Sequence, residues 1–153
     1  MQTDLNISMS TRLNHARHNK KACEYLSSAN EFPDWVVTTA FYCAMHYVQA
    51  VIFPHQENGV IYKDLEEYFD KNKLTGDTKH SVTVKLVRKL HFAISEKYRV
   101  LKDAAHTARY HDYQLPSVVV SKMKRHQKAI EEYCEQRCSA NPNNKPATAI
   151  PSS

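Results

Sequence analysis

Residues Asp34 to Ile52, DWVVTTAFYCAMHYVQAVI, constrain the fold of this chain more than any other stretch. After Asp34 the segment carries no formally charged side chain, is apolar on nearly every side, and holds a single histidine, His46. A helix that is apolar all round has no face to turn to water, so other elements must enclose it. The expectation is the central helix of a bundle. Pro33 in the first turn and Asp34 near the positive end of the helix dipole favour its start there, and Pro54 bounds its end. Trp35 to Phe53 is about as long as a bilayer-spanning helix. Thr38, Thr39, His46 and Gln49 dilute it, however, and no membrane association is expected.

A chain of 153 residues is long enough for one domain with its own core. Its only glycines are Gly59 and Gly76. Tight hairpins draw on glycine for positive φ, so a hairpin-rich all-β fold is disfavoured. Glycine-rich loops of the dinucleotide and P-loop kinds are absent, and with them those cofactors. Apolar periodicity predicts an all-α, up-and-down bundle of four long helices plus one short helix over residues 11–138.

Residues 1–10 form a polar lead-in. The first helix is expected from Ser10 or Thr11 to about Ser28, with Leu13, Ala16, Cys23 and Leu26 inward and Arg12, Arg17, His18, Lys20 and Lys21 outward. The second is the apolar segment. Pro54 to Gly59 makes a turn, and IYKDLEEYFDKN forms the short helix, with Ile61, Leu65, Tyr68 and Phe69 inward. Asp77 or Thr78 caps a long third helix from about Lys79 to Ala108. Its stripe is Val82, Leu86, Leu90, Ile94, Tyr98, Leu101, Ala105 and Ala108. Pro116 or Ser117 opens the last helix, which runs to about Cys138 with Val119, Met123, Ile130, Tyr133 and Cys134 inward. Residues 139–153 are rich in proline, asparagine and serine and are expected to be a disordered tail.

The formal net charge is +5, the isoelectric point is near 9.0, and nine histidines add to it as pH falls. Such a balance suits an anionic partner such as RNA. The four cysteines have no disulfide-framework spacing, and MQTDLNISMSTR has no apolar signal core, so a cytoplasmic chain with reduced thiols is expected. Cys134 and Cys138 lie one turn apart, but no second Cys or His pair completes a tetrahedral set, so no metal is expected. Neither a Ser-His-Asp order, paired carboxylates nor an HExxH helix is present, and no cofactor is implied.

Tyr42, Cys43, Ala44 and His46 on the second helix, with Arg109 and Tyr110 at the end of a later one, form a pattern that resembles the HEPN superfamily of small helical proteins. The resemblance covers roughly Thr11 to Cys138. It implies a bundle that pairs through its long helices, as a homodimer or with a helical protein partner, within a toxin–antitoxin or antiviral defence system. Many HEPN proteins are metal-independent endoribonucleases with an Arg-x4-6-His motif, which Arg99 and His106 match with six residues between them. Seven positions are two helical turns, so both side chains share a face. By the family chemistry, His106 would handle the 2′-hydroxyl or leaving-group proton and Arg99 would steady the phosphorane charge.

A plainer account of Arg99 is an ion pair with Glu96 and Asp103 on the same helix. Val100 follows it where active families favour a polar residue, and Arg12 with His18, five residues between them, fits the same motif. The expected function is therefore a non-catalytic module that binds RNA or a protein partner, with the endoribonuclease as the alternative. The candidate RNA contacts are the corner of Arg109, Tyr110 and His111, with Tyr113 as a further stacking platform, and Lys122 and Arg125 in the run KMKRHQK. Cations at a helix C-terminus are also favoured by the dipole alone. His46 is expected to be a hydrogen-bonded core histidine that His80 could approach.

Overall fold

The computed structural model describes residues 2–140, with side chains described from Met9 onward. The chain is mostly helical, as its periodicity requires. The order is α1 (Gln2–Ala29), α2 (Pro33–Ile52), β1 (His55–Glu57), β2 (Val60–Tyr62), α3 (Leu65–Lys71), α4 (Lys79–Leu90), α5 (Phe92–Tyr110) and α6 (Ser117–Ala140).

The uncharged segment is the central element. Helix α2 packs against α1, α4, α5 and α6, and Val37, Ala40, Phe41, Cys43, Ala44 and Val48 are fully enclosed. Pro33 and Asp34 occupy its first turn. It is long and apolar enough to cross a membrane, yet most of it is buried inside the fold.

Helix α1 starts at Gln2, so residues expected as a lead-in are helical. Met9 is buried, which carries the Leu13–Ala16 stripe about one turn further toward the N-terminus. Beyond Cys138, α6 takes in Ser139 and Ala140; residues 141–153, where most of the expected tail falls, lie outside the described residues.

The expected third helix is two helices. The chain leaves helical geometry at His91, with φ −137° and ψ 54°. The His91 amide still donates to Val87 O at 2.8 Å, and its carbonyl accepts from Ile94 N at 3.1 Å, so α5 follows at once. Its imidazole Nδ1 lies 3.1 Å from the Tyr133 hydroxyl of α6, edge-on to that ring, and the Arg137 guanidinium covers the ring. A tertiary contact thus holds the break. In consequence Leu90 leaves the stripe and is 38 % exposed, and Phe92 is 76 % exposed. Thr78 begins α4 as expected, through a reciprocal capping box with Ser81.

The expected turn at residues 54–59 is part of a β-hairpin. His55 pairs with Tyr62, Gln56 with Ile61 and Glu57 with Val60. Asn58 at φ 50° and Gly59 at φ 78° form the two-residue connection, whose positive φ values match the right-handed twist of the strands. Strand alternation buries Tyr62 and turns Ile61 outward, 53 % exposed, where the helical reading had placed it inward. Leu65, Tyr68 and Phe69 do pack against the core.

A polar seam locks α6 onto α1 and α2. Gln127 donates to Cys43 Sγ at 3.3 Å and to Glu131 at 2.9 Å, and Lys20 pairs with Glu131 at 2.5 Å. The Tyr47 hydroxyl donates to Glu135 at 2.9 Å, and Arg17 pairs with the same carboxylate at 3.0 Å. All four cysteines are buried thiols outside any disulfide. Burial, followed by the nearby Glu131 carboxylate, pushes the Cys43 thiol up to about 12.

Candidate functional site

Helix α5 carries both of the arrangements expected to bear chemistry, and the structure treats them differently. Arg99 is exposed and engaged by its own helix. Its Nε and Nη2 donate to Glu96 at 3.1 and 2.7 Å, and Nη1 donates to Asp103 at 3.0 Å. These are i,i+3 and i,i+4 pairs, the ordinary decoration of a helix surface. His106 is also exposed; its ring meets Tyr110 at 5.0 Å and His111 at 5.5 Å. Arg99 is thus tied to Glu96 and Asp103, and His106 to the aromatic groups at the C-terminal end of α5.

At that end Arg109 turns inward onto α2. Its guanidinium carbon lies 5.5 Å from the Tyr42 ring centre, 5.9 Å from Phe41 and 5.6 Å from Tyr110. Nε and Nη1 are buried and meet no acceptor. Among the described residues no carboxylate pairs with this guanidinium. Three aromatic faces stabilise the cation, yet a buried N–H without an acceptor is uncommon and destabilising.

Two buried hydroxyls on α5 and α2 are unpaired as well. The Tyr98 hydroxyl has no partner, and its ring lies 6.0 Å from Phe41. The Thr38 hydroxyl, one turn before Phe41 on α2, has none either.

His80, in the first turn of α4, completes the corner. Its half-buried ring sits edge-on to Phe41 at 5.5 Å. Burial, and then the charges of Arg109 and Lys102, hold its pKa below the ordinary imidazole value. The sequence leaves open whether His80 approaches His46, and no ring contact joins the two. His46 instead stacks on His15 of α1 at 5.0 Å; burial, His15 and Arg12 lower its pKa. Nothing in the local sequence places His80 beside Arg109, because that depends on how α4 folds back across α2.

The basic run on α6 belongs elsewhere. Lys122 and Arg125 join Lys97 of α5 around His126, whose pKa is lowered by burial first and then by those three cations. Arg125 also lines a cleft of about 690 Å³ between α1 and α6, where Lys20, Lys124 and Lys128 alternate with Glu24, Glu131 and Glu132. The mixed signs give that cleft little pull on a polyanion. Of the sequence candidates, then, Arg109, Tyr110 and His111 come together with His106, while Lys122 and Arg125 form a separate basic group.

Among the described residues no group of three or more His, Cys, Asp or Glu side chains is disposed to hold a metal ion. Compared with known proteins, the chain matches no family model, no curated sequence and no solved structure.

Proposed function

We propose that this chain is a HEPN-like helical module that binds RNA without cleaving it and pairs with a second copy or a helical partner. The observation that carries this reading is the Arg109 corner: an aromatic-lined guanidinium with two donors lacking acceptors, beside a cationic His80 environment and the exposed ring of Tyr110. An RNA phosphate supplies acceptors and negative charge, and Tyr110 supplies a face for an unstacked base. The engagement of Arg99 by Glu96 and Asp103 weighs against the nuclease alternative, which needs that guanidinium on a phosphorane. A defence or toxin–antitoxin setting follows only from the resemblance to HEPN proteins.

The test is single-stranded RNA incubated with the protein in EDTA and resolved on denaturing and native gels. Intact RNA with a weak, salt-sensitive mobility shift is expected. The shift should weaken in Arg109→Lys, which keeps the charge but loses the planar donor fork, and persist in Arg99→Ala. Cleavage that is lost in both Arg99→Ala and His106→Ala would establish the endoribonuclease. With neither a cut nor a shift, a protein-binding role replaces RNA.

A further inference from the structure

Arg109 and His80 come from different helices and lean on the same ring, Phe41, from 5.9 and 5.5 Å. Each lacks a protein acceptor among the described residues. The charges that act on His80 are of one sign, Arg109 and Lys102 from α5, and α2 presents the aromatic ring of Phe41. Acids close to either residue are engaged elsewhere. Asp112, three residues after Arg109, accepts from the Gln114 amide at 2.9 Å. Asp77 accepts from Lys85 and Ser81, Glu66 pairs with Lys79, and Asp103 pairs with Arg99 and Lys102. Structural ion-pairing does not explain such a corner, since no anion is supplied to it.

We propose that His80 and Arg109 form a phosphate-binding site in which His80 takes up a proton as the anion docks. The proposal rests on the RNA-binding reading and specifies its chemistry. In the free protein His80 is neutral near pH 7, because burial and the two cations disfavour the imidazolium. A phosphate oxygen against its ring nitrogen reverses that balance by adding an acceptor and a negative charge. Arg109 Nε and Nη1 then gain the acceptors they lack, once the exposed Tyr110 ring moves aside. Because binding and protonation are reciprocal, affinity rises as pH falls, by at most about tenfold per pH unit for one proton. The phosphate is either an internal phosphodiester of RNA or a terminal phosphate, and the two share this chemistry.

The first measurement follows the histidine ring proton resonances of the full chain by NMR between pH 5 and 8, with and without inorganic phosphate. The His80 resonance, identified by its loss in a folded His80→Gln variant, should titrate at higher pH when phosphate is present. The second measures binding of fluorescent single-stranded RNA, with and without a 5′-phosphate, at pH 6 and 8. Wild type should bind several-fold tighter at pH 6, and His80→Gln should flatten that dependence while circular dichroism stays unchanged. A preference for the 5′-phosphate, or its absence, supports the site equally and identifies which phosphate fills it. A His80 titration unmoved by phosphate, or an unchanged pH slope in His80→Gln, overturns the site; RNA binding through Arg109 would then stand alone. Phosphate that shifts His80 in a protein that never binds RNA sinks the RNA reading and keeps the site.

Discussion

Tyr98 brings a hydroxyl into the core and finds no acceptor for it; burial pushes its phenol up, so it stays neutral. Removing a buried polar atom that makes no hydrogen bond relieves a desolvation penalty. Tyr98→Phe is therefore expected to leave stability unchanged or raise it by up to about 1 kcal/mol, read by urea denaturation. Its neighbour behaves oppositely. Phe41→Ala should lose about 3–5 kcal/mol and loosen Arg109 and His80 together, because both rest on that ring. Four histidines, His46, His80, His91 and His126, have pKa values held below the ordinary value, burial being the largest cause in each. Between those lowered values and the unfolded value of about 6.5, the unfolded chain binds more protons, so stability falls as pH drops through that range. The thermal midpoint should be lower at pH 5 than at pH 7.5, and His46→Gln should reduce the difference. The lowered carboxyl groups Glu57, Glu67, Asp77 and Glu96 act only at still lower pH.

Among the elements, the hairpin rests on two residues. Gly59 has φ 78° and no atom near a prospective Cβ, so the cost of Gly59→Ala is backbone strain alone. A loss of about 1–3 kcal/mol is expected, measured by denaturant titration. The Asn58-Gly59 pair was a readable hairpin signal; the scarcity of glycine pointed away from it, although one well-placed glycine is enough. Helix α2 was legible because a long run without charge has few solutions, and the start of α4 because Thr78 and Ser81 carry the cap in their own side chains. The break at His91 was not legible. No glycine or proline marks it, the apolar spacing runs through it, and its cause, Tyr133, lies on a different helix. Within the candidate site Arg109 and Tyr110 could be read from their place near a helix end, whereas His80 reaches them only through the folding back of α4.

For the molecule as a whole, α2 is the shared wall and α6 is the closing element, held by Glu131 and Glu135 against α1 and α2. The proposed pairing with a second copy is checked by light scattering at high micromolar concentration, where a dimer mass is expected and a clean monomer with no co-purifying partner counts against it. The cysteines give this closure a reporter of its own. Cys23 lies on α1, Cys43 on α2, and Cys134 and Cys138 on α6, each a buried thiol, while α4 and α5 carry none. A thiol reagent can reach Cys43, which Gln127 of α6 covers, and Cys134, both fully enclosed, only when α6 separates from its neighbours, so their labelling rate becomes a clock for that opening. The native chain already carries its probes, and mass spectrometry can time how often its last helix lifts away without a single substitution.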